Sequence, residues 1–125
     1  MRTVLTYNQM VVYQLSDSEV DRIFQALADA TRRDIVTRTL QREQSVSTLA
    51  QHYAMSFAAV QKHVAVLERA MLVTKERRGR EQIVHGSVES LRRAAHLLGA
   101  YEQIWHDRAI RIGELLTDPL KGEEQ

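Results

Sequence analysis

A chain of 125 residues, 44% hydrophobic and 26% charged, is sized for one domain with a real core and is too short for two independent ones. It contains no cysteine, which excludes disulfides, thiolate metal sites and thiol redox switches. No apolar run approaches the ~20 residues of a membrane span, and an N-terminus carrying Arg2, Tyr7, Asn8 and Gln9 does not read as a signal peptide. A cytoplasmic protein without a membrane partner is therefore expected.

The net charge of +1 hides a division along the chain. Between Ser56 and Arg93 there are eight Lys/Arg against four Glu, and from Glu114 onward four acids face Lys121 alone. Local charge decides whether a face attracts phosphate, although charge runs also occur as plain solvated surface.

Residues 1–15 read as an N-terminal arm. Val4, Leu5, Met10, Val11, Val12 and Leu15 fit an extended segment or a short helix, and Met10 is a second candidate start. The main domain is expected over 16–117, followed by an acidic tail, 118–125. Ser16, Asp17 and Ser18 offer cap oxygens to a first helix with Val20, Ile23, Phe24, Leu27 and Ala28 at helical spacing. Asp29 or Thr31 caps a second helix through Ile35, Val36 and Leu40, and Ser47 a short third one through Leu49, Ala50 and Tyr53. After the tight connection at Ala54-Met55, Ser56 caps a fourth helix to about Ala70, giving a helix-turn-helix pattern. Two β-prone runs, Leu72–Arg77 and Glu81–His85, then flank Gly79 as a hairpin requires, with Arg77, Arg78 and Arg80 at its tip. A helix-turn-helix followed by a basic hairpin is a winged helix. The expected fold class is therefore mainly α with a small β-hairpin wing.

On a helical wheel, Phe57 to Arg69 places Val60, Val64 and Leu67 on one side. Ala58, Gln61, Lys62, Ala65 and Arg69 fall on the other, small or long-donor residues that suit a major groove about 12 Å wide. Gln61 matches adenine, Lys62 guanine or phosphate, and Ala58 a thymine methyl. Phe57 in the first turn faces the same way, and backbone N–H groups at Ser56 suit a phosphate. His63, at the edge of the buried sector, reads as a packed residue or a phosphate contact. Lys75 and the Arg77–Arg80 tip, Gly79 included, form the wing's share of this face.

The last helix is expected from about Val88 to Thr117, since Pro119 opposes continuation. Leu91, Leu98, Trp105 and Ile112 recur every seven residues, with Ala94, Tyr101 and Leu115 interleaved and one break at Arg108. At ~1.5 Å per residue such a helix spans roughly 45 Å, more than so small a domain can cover. Leu91 and Ala94 are assigned to the intrachain core. Leu98, Tyr101, Trp105, Ile112 and Leu115 are assigned to a second copy of the chain.

Three stretches, Ile23 to Val36, Met55 to Val73 and Arg77-Arg78-Gly79-Arg80, resemble the ArsR (arsenic-repressor) family of winged-helix regulators, and the likeness covers roughly residues 16–117. The resemblance implies a homodimer built on the first and last helices. It also implies repression of a twofold double-stranded DNA operator, often the protein's own promoter, and release by a small-molecule or protein inducer. Ala30 stands where the family has proline, which predicts a looser turn. Met71 stands where glycine is common, which predicts a differently shaped helix exit. Gln61 stands where serine is common, so no operator sequence carries over.

Relatives that sense metal use cysteines, absent here, or acid and histidine sets on the last helix. His96, Glu102 and His106 are the weak candidates, but the family's paired spacing is missing, with Ala94 and Ala109 at the required positions. Trp105-His106-Asp107-Arg108 instead resembles a metal-independent subgroup, so no cofactor is expected. No Gly-rich phosphate loop, nucleophile elbow or paired-carboxylate pattern appears, and an enzyme is not expected. The rival reading is an interaction module that kept the scaffold and the dimer helix without DNA binding.

Overall fold

The structure is a computed structural model that describes residues 16–124, with side chains described through Thr117. The arm assigned to 1–15 and the side chains of the acidic tail lie outside the described residues. The elements run α1 (Asp17–Leu27), α2 (Ala30–Gln41), β1 (Gln44–Ser45), α3 (Val46–Ala50), α4 (Phe57–Arg69), β2 (Val73–Arg78), β3 (Glu81–Gly86) and α5 (Glu89–Glu124). The chain falls into two compact units, one ending at Ala94 and the other beginning at Ala95.

Serine and aspartate caps start the helices of the first unit. Ser16 makes a full capping box: its Oγ accepts the Glu19 N–H at 3.1 Å, and Glu19 Oε1 accepts the Ser16 N–H at 2.8 Å. Asp29, rather than Thr31, caps α2 through the Arg32 N–H. The cap of α3 is Ser45, not Ser47, because Ser45 leaves a short strand that the sequence pattern does not disclose. That strand, β1, pairs antiparallel with β3, Ser45 opposite Ile83, to give a sheet ordered β1-β3-β2. The hairpin register places Arg78 opposite Glu81, leaving a two-residue turn led by Gly79 at φ 66°, the conformation that favours glycine.

Helices α1 to α4 close on the sheet around Ile35, Leu49, Val60, Val64, Leu67, Leu72, Val73 and Val84, all essentially inaccessible. Burying each is worth ~1.5–3 kcal/mol. Thr39, buried among them, satisfies its hydroxyl on the Ile35 carbonyl at 2.8 Å. As expected, Leu91 and Ala94 join this unit's interior, Ala94 against Ile23.

Two departures from the family pattern resolve differently from expectation. The α1–α2 turn at Ala30 is closed tightly: Arg32 Nε and Nη2 donate to the carbonyls of Ala26 and Gln25, and Arg33 Nη1 to that of Leu27. Two guanidiniums satisfy the carbonyls that end α1, so proline is not needed to fix the turn. Met71 adopts φ 60° itself, with its N–H on the Glu68 carbonyl and the Leu72 N–H on the Leu67 carbonyl, both at 2.9 Å. The exit therefore keeps the glycine-type shape, at a conformational cost of ~1–2 kcal/mol. Glycine's extra unfolded-state entropy returns ~0.5–1 of this, and the Met71 side chain is 62% exposed. Met71→Gly is accordingly expected to stabilise the fold by ~0.5–1 kcal/mol, read as a higher midpoint in urea.

In the second unit α5 passes Pro119 and reaches Glu124 instead of stopping near Thr117. A proline forfeits one backbone hydrogen bond and strains the turn before it, which an otherwise continuous helix can carry. At ~1.5 Å per residue its 36 residues span ~54 Å.

Candidate nucleic-acid interface

Helix α4 presents two faces as its periodicity demands. Val60, Val64 and Leu67 are buried, whereas Phe57, Ala58, Gln61 and Lys62 are exposed and Ala65 is half-buried. Ser56 Oγ accepts the Ala59 N–H at 3.1 Å and the Ser56 carbonyl accepts from Val60. The N–H groups of Phe57 and Ala58 remain at an exposed, electropositive helix end, which is suited to a phosphate.

His63 is half-buried and held. Arg32 Nη1 lies 3.2 Å from His63 Nδ1. Since a guanidinium only donates, Nδ1 is the accepting nitrogen and Nε2 is left as the ring's donor. Arg32 was not legible as a site residue: 31 positions separate it from His63, and only the fold brings them together.

The turn between α3 and α4 is fixed from behind by α2. Tyr53 Oη donates to Asp34 Oδ2 at 2.6 Å, Arg38 Nε donates to the same oxygen at 2.8 Å, and Arg38 Nη1 stands 3.4 Å from His52 Nε2. The Tyr53 hydroxyl and then Arg38 hold the Asp34 carboxyl below its usual range. Burial, and then the bond to Asp34, push the Tyr53 phenol up to about 12.

The hairpin's cations are not equivalent. Arg78 forms a two-pronged contact with Glu43 and a further pair with Glu76 at 3.1 Å. His85 Nε2 lies 2.6 Å from Glu76, and His85 Nδ1 lies 3.5 Å from Glu43. Glu43 is held low chiefly by Arg78, and Glu76 by His85 and then Arg78. These contacts fasten the hairpin to the segment before β1 and consume the charge of Arg78. Lys75 pairs with Glu68 at 3.4 Å, and Arg77 Nε bonds the Gly79 carbonyl. Among the described residues Arg80 and Lys62 form no ion pair, so they are the cations most available to a phosphate. Arg69, at the far end of α4, lines a small cavity beside Arg22 and Arg93.

In the second unit, every side chain from Tyr101 to Thr117 is exposed. Leu98, Tyr101, Trp105, Ile112 and Leu115 lie in one sector of α5; of two exposed residues that the heptad pattern passes over, Leu116 falls in line with Leu98 and Ile104 widens the sector to about 120°. Arg108 stacks 5.9 Å from the Trp105 ring centre within that sector. His96 is half-buried, Glu102 and His106 are exposed, and the described residues contain no group of three acid or histidine side chains placed to hold a metal ion.

A capped helix presenting donors, packed on a short preceding helix and followed by a three-stranded sheet with a hairpin, defines a winged helix-turn-helix protein. No protein-family model matches the chain. It is 31% identical to an ArsR-like transcriptional regulator from Rhodococcus sp. RHA1, covering 78% of this chain and 92% of that one at a TM-score of 0.68. The chain belongs to the ArsR family. The homodimeric winged helix-turn-helix DNA-binding domain Mb0332 of Mycobacterium bovis is 25% identical over 74% of this chain and 93% of its own, at a TM-score of 0.55. The HTH-type transcriptional regulator Rv2034 of Mycobacterium tuberculosis is 41% identical over 63 residues, which are 50% of this chain and 59% of that protein's length.

Proposed function

We propose that the chain is a transcriptional repressor that binds a twofold DNA operator as a homodimer, with α4 in the major groove and the hairpin tip on the flanking backbone, and leaves on binding an inducer. The observation that carries this reading is the exposed face of α4. Gln61 and Lys62 project from it with no competing ion pair, small alanines beside them permit close approach, and the capped Ser56 end is open to phosphate. The apolar sector of α5 supplies the second half of the reading, because a twofold operator needs two copies of α4. The homodimeric M. bovis domain lends the pairing support by likeness.

The roles divide by chemistry. Gln61 and Lys62 read base edges, whereas Ser56, the Nε2–H of His63 and Arg80 hold phosphates. Arg78, neutralised by Glu43 and Glu76, shapes the wing instead of contacting DNA.

Fluorescence anisotropy with the DNA flanking the chain's own gene, at two salt concentrations, tests this. Gln61→Ala and Lys62→Ala should each weaken operator binding by ~1–3 kcal/mol and leave random DNA less affected. Arg80→Ala should weaken all sequences alike and lower the salt slope by about 1, and Arg78→Ala should leave that slope unchanged. No measurable affinity for either DNA in the parent chain would favour an interaction module on the same scaffold.

A further inference from the structure

Within the first unit, α1, the C-terminal end of α4 and the start of α5 enclose a cavity of about 20 Å3, partly open to solvent. That is room for one or two water-sized groups. Its lining includes Arg22, Arg69 and Arg93, from three different helices, with the buried Ser90 and a single acid, Glu19. Three cations against one acid leave the lining net positive, which favours an anion.

The one acid on hand offsets only part of that charge. Glu19 Oε1 is occupied by the Ser16 N–H at 2.8 Å, the bond that chiefly lowers its titration, and Arg22 and Arg93 act on it only through space. The nearest carboxylate oxygen to Arg93 is Glu89 Oε2, at 3.8 Å from Nε, too far for a hydrogen bond. Arg93 Nε is buried and has no hydrogen-bond partner. Among the described residues Arg22 and Arg69 form no ion pair. A buried donor without an acceptor is costly in a folded chain; the Arg93 side chain as a whole is 26% exposed, and it stands beside a cavity whose lining also includes Arg22 and Arg69.

We propose that this cavity is an effector site for an oxyanion group, a phosphate or carboxylate, with Arg93, Arg22 and Arg69 as its donors. Its size admits the oxygens of such a group and leaves the rest of a larger molecule outside. The site touches the recognition helix at its exit: Arg69 and the left-handed Met71 are both in the wall. An anion held there engages Arg69, draws the end of α4 toward α1 and α5, and removes a cation from the helix that meets DNA. Anion and operator are therefore antagonists, each weakening the other by the same factor. This last step rests on the DNA-binding reading above, whereas the anion site itself does not.

Thermal unfolding of the full chain in sodium phosphate, sodium acetate and sodium chloride at equal ionic strength tests the site. Phosphate, acetate or both should raise the midpoint to a plateau that chloride does not reproduce; whichever does so assigns the head group. Arg93→Met should abolish the rise while changing the midpoint in chloride little, since it removes an Nε that has no acceptor and only a long, 3.8 Å pairing with Glu89. Arg22→Met, at an exposed position, should abolish it too. A midpoint that rises no further in phosphate or acetate than in chloride, or rises equally in both variants, overturns the proposal. In the same buffers, the effective oxyanion should weaken operator binding at least fivefold in the parent chain and not in Arg93→Met. Failure to bind operator in chloride would sink the DNA reading and leave the anion site to be judged on the midpoints.

Discussion

Gly86→Ala is expected to destabilise the fold by ~3 kcal/mol, at the upper end of what overpacking costs, and to lower the thermal midpoint by ~10 °C or more. A Cβ at Gly86 would stand 2.8 Å from the Leu40 backbone nitrogen and 2.9 Å from the Thr39 carbonyl carbon. Both are main-chain atoms in the last turn of α2, so no rotamer change relieves the contact. Relief requires β3 to move off α2, and β3 also carries Val84 and Ile83, which seal the core. It also pairs with both other strands, so the displacement is transmitted to β1 and the wing. Two other glycines serve as controls. An added Cβ at Gly79 meets nothing, and Gly79→Ala should cost only its φ strain, ~1 kcal/mol. Gly99 lies in mid-helix with open space around it, and Gly99→Ala should stabilise α5 by up to ~1 kcal/mol. Chemical denaturation ranks the three, and a Gly86→Ala protein as stable as its parent would refute the close α2–β3 approach.

That contact also marks the boundary of what the sequence discloses. The capped α4, its two faces and the hairpin around Gly79 were legible because each is written in local signals: a serine, a period, a glycine between β-prone runs. The apolar excess of α5 was legible because a long stripe outruns a small domain. Long-range features left no trace. Strand β1 is two residues long and exists only because Val84 and Ile83 lie beside it, and with it hidden the cap of α3 moves from Ser45 to Ser47. The three arginines of the tip look alike in sequence, and their pairing separates them: Arg78 meets Glu76 and Glu43, the latter 35 residues earlier, and Arg80 meets neither. Met71 shows the opposite error. A residue ill suited to φ > 0 adopts it anyway, because the hydrogen bonds at the α4 exit and the burial of Leu72 and Val73 outweigh the strain.

Trp105→Ala is expected to weaken self-association by roughly a hundredfold or more, giving monomers in sedimentation velocity at micromolar concentration. Trp105 is 61% exposed in the single chain, and Ile104 and Leu115, on the same sector, are 67% and 79% exposed. An indole presents ~200 Å2 of surface, so covering its exposed part is worth ~3 kcal/mol at ~25 cal/mol per Å2. A twofold interface counts each residue twice. If only half of this gain is realised, the loss is still ~3 kcal/mol, about two factors of ten in Kd. The sector is wider than the narrow seam of a two-stranded coil, so a second copy has to cover it with more than one side chain per turn. Ile110 is the control. It is 46% exposed but projects about 140° away from Trp105 around the helix, and Ile110→Ala should leave the dimer intact. Operator affinity should fall with Trp105→Ala at concentrations where the parent chain is dimeric, because each monomer retains only one α4. A Trp105→Ala chain that still sediments as a dimer would place the interface elsewhere. The same substitution in Ile110 dissociating the dimer would place it on the opposite face of α5.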